Sequence, residues 1–258
     1  MGHALAAALI RRKVCRPQDI MVADPFEDAR KRAESLGCLA SERPSQFDAR
    51  VIVLAVKPQQ AQESMQGLAG KLRLDQVVVS IMAGVRVATI QRALEHKAVV
   101  RVMPNTPAQI GLGMNAYYAD PAVTRTQLDA VNAMLNASGE GLSVASEDMI
   151  DAATAVSGSG PAYVFYLAEH WMHAAEALGF TSSQATALVR QTLRGATELW
   201  QSSGTSPQRL REQVTSKGGT TAAALDSMNA AGVGSAIETG VKRAYERAKE
   251  LGREDSGR

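Results

Sequence analysis

The densest chemistry in this 258-residue sequence lies in Val214-Thr215-Ser216-Lys217-Gly218-Gly219-Thr220-Thr221-Ala222-Ala223-Ala224-Leu225. Two glycines free the backbone to turn tightly, and a helix is expected to begin at Thr220 or Thr221. The first N–H groups of a helix have no internal partner. Together with the helix dipole and the hydroxyls of Ser216, Thr220 and Thr221, they would bind a carboxylate or phosphate. Lys217 adds positive charge. The plainer alternative is a Thr/Gly helix cap with no ligand. A second constellation is Ala155-Val156-Ser157-Gly158-Ser159-Gly160-Pro161-Ala162-Tyr163. It reads as a tight polar turn feeding an apolar helix, either as a serine-capped connection or as a backbone wall against a ligand.

These residues need elements to position them. Short apolar runs predict strands at 20–23, 51–56, 76–81 and 98–103, with weaker ones at 113–119 and 141–145. Continuous apolar strands are buried on both faces, the habit of parallel sheets covered by helices. Helical patterns fall between them near 25–36, 59–70, 87–95 and 124–137. This alternation predicts a doubly wound α/β half over 1–146. After about residue 146 the strands stop, and 147–258 reads as all-α. Its first long helix runs from Pro161 to Gly179 and is apolar on more than one side, as expected of a core or a subunit interface.

In an open parallel sheet, ligands sit beyond the carboxyl ends of the strands. Here those ends carry Asp24, then Ala55-Val56-Lys57-Pro58, then Met82-Ala83-Gly84, then Pro104-Asn105-Thr106-Pro107. Dinucleotide folds also need a glycine-rich turn after a first strand. The sequence opens directly on Met1-Gly2-His3-Ala4-Leu5, a helical pattern. Gly2 reads as the last glycine of such a turn, with the strand and the earlier glycines expected upstream of residue 1.

Other classes are disfavoured. Basic and acidic residues number 28 and 26, for a net charge of +2, so no nucleic-acid partner is expected. No apolar run approaches the roughly 18 residues of a membrane span. Cys15 and Cys38 are too few for a disulfide framework and fit a reducing compartment. Arg11-Arg12-Lys13 follows the apolar N-terminal stretch, the reverse of a signal peptide, so the chain reads as cytoplasmic. His170 and His173 lack a carboxylate partner at ligand spacing, and no metal site is expected.

With these motifs in hand, the chain resembles the pyrroline-5-carboxylate reductases. The resemblance rests on Gly2-His3-Ala4-Leu5, Ala55-Val56-Lys57-Pro58-Gln59, Ser80-Ile81-Met82-Ala83-Gly84, Arg101 to Pro107, Ala155 to Tyr163, and above all Val214 to Leu225. It implies a Rossmann-like domain followed by a helical dimerisation domain. It implies reduction of a cyclic imino acid, L-1-pyrroline-5-carboxylate, to L-proline by NADPH or NADH, in a homodimer of the kind that in this family often assembles further into decamers. Carried over by position, Gly2, Asp24, Ala55, Val56, Lys57, Pro58, Ala83, Gly84 and Asn105 line the cofactor. Ser216, Gly218, Gly219, Thr220 and Thr221 hold the substrate, with Thr221 as hydroxyl donor to the imine nitrogen. Asp24 favours NADH while the family tends to NADPH, so both are expected to work. Two alternatives stand beside this reading. One is a related β-hydroxyacid-type dehydrogenase, which needs a lysine that Pro161–Gly179 lacks. The other is a non-catalytic homologue that has lost cofactor binding.

Overall fold

A computed structural model describes residues 1–44 and 49–256. Two compact units emerge: one of Met1–Pro161 with Arg243–Arg258, the other of Ala162–Lys242.

The first unit holds all the strands found among the described residues. Its elements are α1 (Gly2–Arg11), β1 (Met21–Ala23), α2 (Glu27–Ser35), β2 (Leu39–Ser41), β3 (Val51–Leu54), α3 (Ala61–Gln66), β4 (Val77–Ser80), α4 (Val87–Leu94), β5 (Val99–Met103), β6 (Gly113–Ala119), α5 (Arg125–Ser138), β7 (Gly139–Ser143) and α6 (Asp148–Ala153). A five-stranded sheet runs in the order β3-β4-β5-β6-β7, and β1 pairs with β2 in a separate two-stranded sheet. The strands β3, β4 and β5 are parallel, with Leu54 opposite Ser80 and Ser80 opposite Arg101, so their carboxyl ends share one edge.

Valines along β4 show why the sheet is doubly covered. Successive side chains of a strand point to opposite faces. Val77 and Val79 therefore join Leu5, Leu9, Val131 and Leu135 from α1 and α5. Val78 joins Met65, Ile90 and Leu94 from α3 and α4 on the other face. Each fully buried aliphatic side chain contributes roughly 1.5–3 kcal/mol.

Three features depart from the sequence reading. β2 was not foreseen; three residues carry no period, and they become a strand only by pairing with β1. β6 runs antiparallel to β5, because the link from Met103 to Gly113 is a short 3₁₀ turn with no crossover helix. β3 is apolar throughout, yet Val51, Ile52 and Val53 are only half-buried. It lies at the edge of its sheet, and among the described residues its far side has no partner strand.

The segment expected to be a turn at 155–163 is helical instead. Residues Thr154–Gly158 form a π-helical stretch between α6 and α7 (Gly160–Ala177). Extra residues per turn accommodate the serines and glycines without breaking the helix.

The second unit contains most of α7, then α8 (Ser182–Ser203), α9 (Pro207–Gln213), α10 (Thr220–Ala230) and the start of α11 (Val233–Ser256). Its large apolar residues are on the surface: Phe165, Leu167, Trp171, Leu188, Trp200 and Ile237 are all exposed. No helix among the described residues is long and apolar enough to cross a membrane.

Candidate active site

In the first unit the shared sheet edge is lined by small or open residues. Ala55, Lys57 and Ala83 are exposed there, and Val56 and Pro58 are half-buried. Gly2 brings the start of α1 against this edge, since a Cβ at Gly2 would sit 3.0 Å from Cβ of Ala55. Met1 occupies the N-cap position and offers no side-chain cap, so the first N–H groups of α1 stay available. Open alanines, an exposed lysine and an uncapped helix start fit a flat dinucleotide with an anionic diphosphate. Asp24 follows β1 in the other sheet, so strand pairing does not bring it to this edge.

Two expected cofactor residues have structural duties. Asn105 donates its amide to the carbonyl of Ser157 at 3.1 Å and accepts from the N–H of Met114 at 2.9 Å. It thereby fastens the π-helical stretch and β6 to the end of β5. Gly84 has φ +78°, and a Cβ there would lie 3.3–3.4 Å from backbone and Cβ of Leu251 on α11. The glycine is what lets the end of α11 lie against this loop.

Sequence reasoning missed a buried charge cluster behind that edge. Arg101 on β5 donates to Asp151 at 2.8 Å and to Glu147 at 3.1 Å. The side chains of Arg101 and Asp151 are each 2% exposed. Arg86, at the start of α4, reaches Asp148 at 2.7 Å and Asp151 at 3.6 Å. Glu147 also accepts the N–H of Val87 at 2.8 Å. The hydrogen bond from Arg86 holds the Asp148 carboxyl below its usual range. Nε of Arg101 and Oδ2 of Asp151 are buried without a hydrogen-bond partner. A lone arginine in an apolar strand covered on both faces must be paired, and that was the available signal.

In the second unit, the 214–221 segment is a turn followed by a bare helix start. The carbonyl of Ser216 accepts the N–H of Gly219 at 3.1 Å. Gly218 sits inside that turn with φ +71°, the glycine conformation such a turn requires. Gly219 is the N-cap of α10 and gives it no side-chain cap. Among the described residues, the hydroxyls of Thr220 and Thr221 make no hydrogen bond within the chain. Thr220 is exposed and Thr221 half-buried. The expected groups are thus grouped at one helix start, with donors directed outward.

No group of three or more His, Cys, Asp or Glu able to hold a metal occurs among the described residues. His170 instead packs edge-on against Tyr166, with ring centroids 4.4 Å apart.

A Rossmann-like sheet with an open carboxyl edge, followed by a helical unit, defines a nucleotide-cofactor oxidoreductase with a separate dimerisation domain. Residues 1–84 match the family described as NADP oxidoreductase, coenzyme F420-dependent, and residues 147–251 match pyrroline-5-carboxylate reductase dimerisation. The chain is similar to the pyrroline-5-carboxylate reductase of Pseudomonas aeruginosa, at 39% identity over 96% of this chain and 93% of the relative. It is also similar to one from Bacillus subtilis, at 32% identity over 100% and 94%. Among solved structures, the reductase from Coxiella burnetii superimposes with a TM-score of 0.89 at 32% identity, covering 97% and 94% of the two chains. That of Plasmodium falciparum, solved with NADP bound, gives 0.88 at 27% identity, covering 98% and 94%. The chain belongs to the pyrroline-5-carboxylate reductase family.

Proposed function

We propose that the protein reduces L-1-pyrroline-5-carboxylate to L-proline with NADPH or NADH, the final step of proline biosynthesis. The observation that carries this reading is the uncapped start of α10 with its free threonine hydroxyls. It lies in a chain whose relatives bear the reductase name over nearly their full length.

The substrate is a five-membered ring with a carboxylate and a C=N bond. The outward N–H groups of α10, with Ser216, Gly218, Gly219 and Thr220, bind the carboxylate. The Thr221 hydroxyl donates to the ring nitrogen, keeps the C=N carbon electron-poor and passes on from solvent the proton that the nitrogen takes up as the carbon is reduced. When bound, the reduced nicotinamide supplies the hydride. No nucleophile is required, so the chain's contribution is orientation and electrostatics. Ala55, Val56, Lys57, Pro58, Ala83, Gly84 and Asn105 form the cofactor wall, with Gly2 at the diphosphate and Asp24 at the adenosine end.

Residues 1–146 serve as the cofactor domain and 147–258 as the substrate and dimerisation domain. The exposed Phe165, Leu167 and Trp171 of α7 support a homodimer. Usage of two cysteines supports a cytoplasmic setting.

The test is to mix purified protein with pyrroline-5-carboxylate and each reduced nucleotide and to follow nicotinamide absorbance and proline formation. Proline-coupled oxidation of at least one nucleotide is expected. A folded protein that binds a nucleotide and forms no proline would overturn the reading.

A further inference from the structure

The sequence leaves a conflict at the end of β1. Asp24 is the acidic residue that in dinucleotide folds pairs with the ribose hydroxyl and favours NADH. Arg30, Lys31 and Arg32 lie further along α2, near the limit of reach. The structure gives each group a definite place.

Oδ1 of Asp24 accepts the N–H of Phe26 at 2.9 Å. This is an Asx turn leading into α2, whose N-cap residue Phe26 has no side-chain cap of its own. The carboxylate is drawn toward the positive end of the helix, where a negative charge is stabilised. One of its oxygens is thus already committed to the protein.

Arg30 folds back to the same strand end. Its Nη1 donates to the carbonyl of Asp24 at 2.8 Å and to the carbonyl of Pro25 at 2.9 Å. The residue is half-buried. The remaining guanidinium N–H groups meet no acceptor among the described residues. Lys31 does not compete, because it pairs with Glu27 at 2.8 Å on the outer face of α2. A cation in the first turn of a helix sits at the wrong end of the dipole. Nothing in α2 itself rewards that placement. Two carbonyls fix the guanidinium in one orientation and leave a donor fork open, the geometry that suits a phosphate.

We propose that Arg30 is the specificity residue of this chain, receiving the 2′-phosphate of NADPH, while Asp24 acts as the cap of α2 and not as a ribose ligand. The proposal rests on the reductase reading for its cofactor class, and it assigns that cofactor's selection to one guanidinium. The neighbouring Asp24 charge tempers the phosphate's attraction, so NADH remains usable.

The test measures binding without turnover. Adenosine 2′,5′-bisphosphate and 5′-AMP are titrated calorimetrically into the whole protein and its variants. The unmodified protein is expected to bind the bisphosphate at least about tenfold tighter, an advantage worth about 1.4 kcal/mol. Arg30→Gln should lose that advantage without a matching loss for 5′-AMP. Arg30→Lys, which keeps the charge without the fork, should retain part of it. Asp24→Asn should raise the ratio of bisphosphate to 5′-AMP affinity. An Arg30→Gln protein that keeps its preference overturns the proposal. So does an equal loss for both nucleotides, which would mark Arg30 as a structural clamp. A parent protein with no preference overturns it as well. Binding as expected with no proline formed would sink the reductase reading alone.

Discussion

Replacing Arg101 by methionine tests whether the buried charge cluster holds β5 to α6. The arginine side chain is 2% exposed, as is that of its partner Asp151, 2.8 Å away. Methionine keeps most of the length and removes the cation. Asp151 is then left with nothing closer than Arg86 at 3.6 Å. Glu147 is better placed, being 18% exposed and still accepting the N–H of Val87 at 2.8 Å. Removing one partner of a buried pair costs about 3–5 kcal/mol, because the other charge stays in a medium that solvates it poorly. Partial access of water and of Arg86 to the cluster places this case at the lower end, about 3 kcal/mol. With a urea dependence of about 1–3 kcal/mol per molar, the unfolding midpoint should fall by about 1 M or more. Urea titration followed by far-ultraviolet circular dichroism reads this directly. The double variant Arg101→Met with Asp151→Leu removes both buried charges and should recover at least half of the loss. A single-variant loss under about 1 kcal/mol, or a double variant worse than the single, would refute the argument that uncompensated charge is the cause.

Gly84→Ala forces a side chain against Leu251 in a positive-φ conformation and should cost about 1–3 kcal/mol; an unchanged melting temperature would show that the α11 contact is loose. Thr221→Ala should lower kcat about tenfold or more while changing KM less, and Gly219→Val should abolish activity by driving a side chain into Ser216; unchanged rates in both would remove this turn from the site. The hydrogen bond from Arg86 depresses the Asp148 carboxyl, so its stabilising contribution is present above the ordinary carboxylate range and is lost as pH falls through the depressed value. Asp148→Asn should therefore flatten the acid limb of the stability profile, and an identical limb would deny the linkage. Sedimentation at micromolar concentration should find no monomer; a monomeric species would contradict burial of Phe165, Leu167 and Trp171 between subunits.

The α/β half was readable because β4 and β5 are runs of valine that only a doubly covered sheet accommodates. The threonine-glycine turn before α10 was readable because its glycines and hydroxyls lie within a few neighbouring positions. What escaped was everything depending on partners far along the chain. Asn105 meets Ser157 across 52 positions, and Arg101 meets Asp151 across 50. No local period encodes such pairs. The polar run at 155–163 resembled a turn because serine and glycine favour turns, yet tertiary contacts keep it helical: Asn105 holds Ser157, and Gly158 lies against Met103. Distance along α2 puts Arg30 near the limit of reach, and its fold-back onto two carbonyls is a choice of rotamer that sequence does not display.

The contact between Gly84 and Leu251 also sets an order of events in the cell. The α/β unit is assembled from Met1–Pro161 and Arg243–Arg258, so its final piece is translated last. Ribosomes add about 5–20 residues per second, which leaves the sheet waiting through the synthesis of the whole helical unit before α11 can cover the loop. During that interval the nascent sheet presents the uncovered Gly84 loop. Closure of the earliest-made unit thus waits on a segment made after the whole helical unit.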